Sequence, residues 1–121
     1  MKIMVSACLL GDNVKYSGGN NRNEKVLEYG RGHEAFAVSP EVMGGLPIPR
    51  KPGEITDGVV RNEDGTSVDR EYRAGAQLAL DIAVKEGIDM AILQSRSPSC
   101  GVNQIYDGTF TGRKINGSGI F

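Results

Sequence analysis

The stretch Met90-Ala91-Ile92-Leu93-Gln94-Ser95-Arg96-Ser97-Pro98-Ser99-Cys100-Gly101 decides how this chain is read. Its first four residues are an apolar run of strand length, and the run ends in reactive groups instead of a simple turn. Pro98 has no N–H to donate and disfavours helix at Ser97, so the segment carrying hydroxyls, a guanidinium and a thiol stays irregular. Loops of this kind, held on a rigid scaffold, commonly carry function.

Working outward, Lys2 to Ala7 is a second short apolar run, ended by Cys8-Leu9-Leu10-Gly11, which puts Cys8 at a strand tip. Ala35-Phe36-Ala37-Val38 is a third, cut off by Ser39-Pro40-Glu41 because proline cannot continue a central ladder. Between these runs, Asp12 to Asn23 reads as loop, and Glu24 to Tyr29 as a short helix stopped by Gly30. Gly44 to Gly58 is dense in glycine and proline and reads as a long ordered loop with no regular element. Val59-Val60-Arg61 and Thr66-Ser67-Val68 flank Asn62-Glu63-Asp64-Gly65 as a hairpin. Asp69 is the expected N-cap of a helix from Arg70 to Glu86, stopped by Gly87. Tyr72, Ala76, Ala79, Leu80, Ala83 and Val84 recur there at helical spacing, with Leu78 and Ile82 widening the apolar arc. Val102 to Phe121 reads as glycine-punctuated extended structure, with Tyr106-Asp107-Gly108-Thr109-Phe110 as a second hairpin.

Apolar runs alternating with helices predict an α/β chain, a compact Rossmann-like three-layer domain over residues 1–121 with a mostly parallel sheet. In such a sheet the carboxyl ends of the strands share one edge, and ligands bind there. Cys8, Ser39 with Glu41, and Ser97 to Cys100 are therefore expected to converge in one crevice.

Composition narrows the function. Lysine and arginine total 14 against 15 acidic residues, a formal net charge of -1, which gives no broad nucleic-acid or membrane surface. No apolar stretch approaches the roughly 18 residues needed to span a bilayer. The opening Met1-Lys2-Ile3-Met4-Val5 is too short for a signal peptide, so a cytoplasmic location is expected. The two cysteines, Cys8 and Cys100, are far apart and outside any CxxC pattern, so they read as free thiols, ligands or a catalytic group and not as a staple. Two thiols with a third position suit a metal or an iron–sulfur cluster. Glu41 is the carboxylate placed for proton transfer, with Asp12 second. Arg50 and Arg96, with Ser99, are the candidates for gripping an anion or an electron-rich heterocycle; the alternative for the arginines is loop anchoring. His33, in a glycine-rich polar loop, reads as solvated.

Four collinear segments carry a resemblance. They are Ser6-Ala7-Cys8-Leu9-Leu10-Gly11, Ser39-Pro40-Glu41-Val42-Met43-Gly44-Gly45-Leu46-Pro47-Ile48-Pro49-Arg50, Ser97-Pro98-Ser99-Cys100-Gly101 and Ile105-Tyr106-Asp107-Gly108-Thr109-Phe110. Together they resemble the bacterial family of domains of unknown function that includes the thiouracil desulfurases. The resemblance implies a [4Fe-4S] cluster on three cysteines, with one iron left open to take sulfur from a thiolated pyrimidine without redox turnover. By position Cys8 and Cys100 match two cluster cysteines, and Glu41 and Ser97 match the polar residues that assist the substrate. Where the family has a cysteine before Pro-Glu this chain has Ser39, so the third metal-binding position is an alcohol. Val14 also stands where the family commonly has cysteine. The family tends to continue past the point where this sequence stops, which leaves two readings of the C-terminus: a further segment removed, or one that never existed.

Three readings follow: an iron–sulfur desulfurase acting on a thiolated base, a cluster-free binding module for a small heterocycle or anion, and a thiol enzyme or two-ligand site for another metal. The last ranks lowest, because Cys100 has no evident basic partner except Arg96.

Overall fold

The structure is a computed structural model that describes residues 1–94, 96–102 and 104–121. Ser95, counted above with the chemistry-bearing loop, lies outside the described residues. Strand β1 (Lys2–Ser6) is central: it pairs in parallel with β2 (Glu34–Val38) on one side and β5 (Met90–Ile92) on the other. The order β2-β1-β5 and parallel pairing are those expected of strand–helix–strand units.

Alternation along β1 sorts the layers. Ile3 and Val5 point to one face, where they pack with Cys8, Leu9 and Val26 of α1 (Glu24–Gly30). Met4 points to the other, against Val38 and Ala79 of α3 (Asp69–Glu86), with Ile82, Ala83 and Phe121 around them. All three β1 residues are essentially free of solvent, which is why this apolar run reads so clearly. Helix α1 starts where Asn23 accepts hydrogen bonds from the N–H groups of Lys25 and Val26, satisfying two of the orphan donors.

Helix α3 departs from its expected face. Tyr72, Gly75, Ala76 and Ala79 are buried, whereas Leu78, Leu80 and Val84 are exposed. Small residues are buried because the short helix α2 (Pro40–Met43) lies unusually close to α3. A side chain at Gly75 would overlap the Pro40 carbonyl oxygen, and one at Gly44 the Glu71 carbonyl oxygen. Asp69 is the first helical residue and not the N-cap. Its carboxylate instead accepts from the Val60 N–H at 3.0 Å and Arg73 Nε at 2.6 Å, fastening α3 to the preceding hairpin.

That hairpin corrects the reading of residues 44–58. Strand β3 (Gly53–Thr56) lies within them and pairs antiparallel with β4 (Val59–Asn62) across a two-residue turn at Asp57-Gly58, both with positive φ. Asp-Gly suits such a turn because each residue tolerates the left-handed region. The hairpin expected around Asn62–Gly65 does form: the Asn62 N–H donates to the Thr66 carbonyl and the Val68 N–H to the Val60 carbonyl, both at 2.9 Å, on either side of an antiparallel Arg61–Ser67 bridge. Similarly, β6 (Gln104–Tyr106) and β7 (Lys114–Asn116) pair antiparallel, yet the connection runs from Asp107 to Arg113 and is not a tight Asp-Gly turn. No helix is long and apolar enough to cross a membrane among the described residues.

Candidate active site

The parallel strands deliver three tips to one edge. After β1 the chain enters a short 3-10 turn, Ala7–Leu10, which carries Cys8 and closes at Gly11 with a left-handed φ of 99°. After β2 comes Ser39, the N-cap residue of α2, with Pro40 in the first helical position and Glu41 in the first turn. After β5 comes the loop bearing Arg96 to Gly101. Ser6 ties the first and third tips together by accepting from the Gln94 N–H at 2.9 Å.

These tips surround a cavity of about 530 Å³ whose wall includes Cys8, Ser39, Glu41, Arg50, Ser97 and Cys100, with Arg96 at its exposed rim. Residues far apart in sequence are thus brought together as expected. Glu41 joins two tips: its carboxylate accepts from Ser97 Oγ at 3.2 Å and from Ser39 Oγ at 3.5 Å. Ser97 Oγ also accepts from the N–H groups of Ser99 and Cys100, at 3.0 and 3.1 Å, and so caps the turn that presents Cys100. The segment Gly119–Phe121 lies across the back of that turn. The N–H groups of Gly119, Ile120 and Phe121 donate to the carbonyls of Gly101, Pro98 and Ser99 at 2.8, 2.8 and 3.0 Å.

Both thiols are buried and face a carboxylate. Burial, then the charge of Glu41, raise the Cys8 thiol above its ordinary value. For Cys100 the same two causes push the thiol up to about 12, although the hydroxyls of Ser6 and Ser99 beside the sulfur act in the opposite direction. The metal-free protein should therefore become less stable as pH rises above the unfolded thiol value of 9.0, because the unfolded chain releases a proton that the folded chain holds until about 12. Denaturant titrations at stepped pH should show a loss of about 1.4 kcal/mol per unit from this group, absent in Cys100→Ala. An equal slope in that variant would assign the effect elsewhere.

Other candidates are placed differently. Ser99 is fully buried behind the loop and is not on the cavity wall. Arg50 lines the cavity, but its two terminal nitrogens donate to the carbonyls of Val14 at 3.1 Å and Pro47 at 3.3 Å. Asp12 is exposed and away from the cavity. His33 is half-buried against Tyr29, with ring centroids 4.6 Å apart, beside an open polar depression at the opposite edge of the sheet. Sequence reasoning missed Ser6, Asn21, Glu54, Tyr72 and Phe110 on the cavity wall. The Asp57-Gly58 pair was the available signal for the hairpin that brings Glu54.

The model of the 2-thiouracil desulfurase family matches residues 3–121. The uncharacterised protein YbbK of Bacillus subtilis (strain 168) is 36% identical over 128 residues, covering 98% of this chain and 85% of that protein. A solved structure of the [4Fe-4S]-dependent thiouracil desulfidase TudS superposes with a TM-score of 0.92 at 43% identity, covering 98% of this chain and 80% of that one. Fold and match length agree, and this chain belongs to the 2-thiouracil desulfurase family.

Proposed function

We propose that this protein is an iron–sulfur-dependent desulfidase of thiolated pyrimidines in the cytoplasm, with Cys8, Cys100 and Ser39 holding a [4Fe-4S] cluster. The observation that carries this reading is the convergence of two buried thiols, the Ser39 hydroxyl and Glu41 on one cavity. Among the described residues no three His, Cys, Asp or Glu side chains are grouped to hold a metal ion, and in this reading the Ser39 hydroxyl on the same cavity is the third donor. The set fits the cluster. The sulfurs are soft donors on separate tips, and the burial that keeps them protonated would be offset by a cationic iron group. Ser6 stands ready to donate to the Cys100 sulfur, a contact that tunes such clusters. Ser39 adds a harder oxygen donor.

When bound, the cluster supplies an open iron with affinity for the substrate sulfur. The chain's own groups do the rest. Water replaces sulfur at the ring carbon, sulfur leaves as sulfide, and no electrons are exchanged. Glu41 is the group placed to carry protons between water, ring and leaving sulfur, and Ser97 holds that carboxylate in position. Ser99 backs Cys100, while Arg50 and Arg96 shape the wall and rim.

The test is iron and acid-labile sulfide content in protein reconstituted without oxygen, beside Ser39→Cys. About four irons per chain are expected in both, with tighter retention in the variant because thiolate is the better ligand. Iron in the variant alone would mean a family site disabled by Ser39. That same residue favours a second reading, a cluster-free binder of a small heterocycle, which would gain if neither protein takes up iron.

A further inference from the structure

Strained backbone gathers at this cavity. Among the described residues three that are not glycine have positive φ: Asp57, which makes the hairpin turn, and Arg96 at 65° and Phe110 at 59°, which both line the cavity. A bulky residue in the left-handed region persists only where its surroundings impose it.

For Phe110 the surroundings can be named. Glu54 on β3 is buried, and its Oε1 accepts from the Gly108 N–H at 2.9 Å and the Phe110 N–H at 3.3 Å. Gly108, at φ 94°, lies so close to β3 that a side chain there would overlap Thr56 Oγ1 and come within 2.7 Å of the Ile55 carbonyl oxygen. Thr56 Oγ1 in turn donates to the Gly108 carbonyl at 3.3 Å. Within the loop, Asp107 accepts from the Thr109 N–H at 2.9 Å. A buried carboxylate, a close backbone approach and a local turn thus combine to fix one aromatic ring at the cavity wall, half exposed and on the same cavity as Cys8, Cys100 and Glu41. Packing alone does not require this arrangement, since Phe110 belongs to neither apolar core cluster.

We propose that Phe110 is a substrate-binding residue, the flat wall on which the pyrimidine ring stacks, and that Glu54 is the positioning residue that aims it. The inference rests on the desulfidase reading and assigns the ring face a partner that no thiol, hydroxyl or carboxylate of the site supplies. Every pyrimidine has a π-face, so the wall selects planar aromatic heterocycles and leaves recognition of the sulfur to the other groups.

Steady-state kinetics with 2-thiouracil on cluster-loaded protein test it. In Phe110→Leu, which keeps apolar bulk and loses the ring, KM should rise about tenfold, with a smaller change in kcat; Phe110→Tyr should restore KM. Glu54→Gln should shift KM in the same direction with iron content retained. Equilibrium dialysis of uracil against the same proteins separates the two claims. If unmodified protein takes up no iron, the desulfidase reading fails, yet weaker uracil retention by Phe110→Leu than by unmodified protein would still support the wall. KM and uracil retention within twofold of the unmodified protein in Phe110→Leu would overturn it, as would a tenfold effect that Tyr fails to rescue.

Discussion

Gly75→Ala is expected to destabilise the protein by about 3 kcal/mol and to lower the melting temperature by roughly 10 °C, as read by circular dichroism. Helix propensity alone argues the other way, since alanine inside a helix is favoured over glycine by about 1 kcal/mol. The steric effect wins because the added carbon would overlap the Pro40 carbonyl oxygen, a backbone atom that cannot rotate aside. Either α3 or α2 must shift. If α2 moves, Ser39 and Glu41 move with it, so iron uptake should fall together with stability. A melting temperature at or above that of the unmodified protein would show that the two helices do not approach so closely.

Glu41→Gln is expected to lower kcat by about 10²- to 10⁴-fold, the range usual for loss of a positioned proton carrier. The amide oxygen can still accept from Ser97, so the turn around Cys100 should survive and iron content should stay within error of the unmodified protein. A second consequence has a definite sign. The Glu41 charge raises both thiols, so its removal should make Cys8 and Cys100 of metal-free protein react faster with an alkylating agent at fixed pH. A kcat within threefold of the unmodified protein would remove Glu41 from the chemistry.

The site was legible because it obeys a strand-level rule. Three apolar runs each end abruptly in Cys8, Ser39 or the Ser97–Cys100 segment, and a parallel sheet has to bring such ends to one edge. Elements set by tertiary contact were not legible. The buried face of α3 is small residues instead of Leu80 and Val84 because α2 lies against it, and nothing local in residues 70–86 announces that neighbour. Strand β3 was obscured by the surrounding prolines and glycines, although Asp57-Gly58 fits a two-residue turn. Asp69 is a short acceptor at the start of α3, as its position in the sequence suggests, but its oxygen meets the Val60 N–H of the hairpin and not the backbone of the helix's own first turn. Phe110 escaped notice because its importance lies in a backbone torsion and a buried carboxylate, neither of which a sequence displays.

The strap of Gly119, Ile120 and Phe121 across the Cys100 turn also orders events in time. On the ribosome Cys8 is made first, and the residues that pin the loop of its partner thiol follow more than a hundred positions later. At typical synthesis rates that interval is roughly 10 s, during which the first thiol has no finished cavity around it. Such distant pairings close late in folding. A nascent chain stalled before residue 121 should accordingly emerge with its cysteines open to the reducing pool.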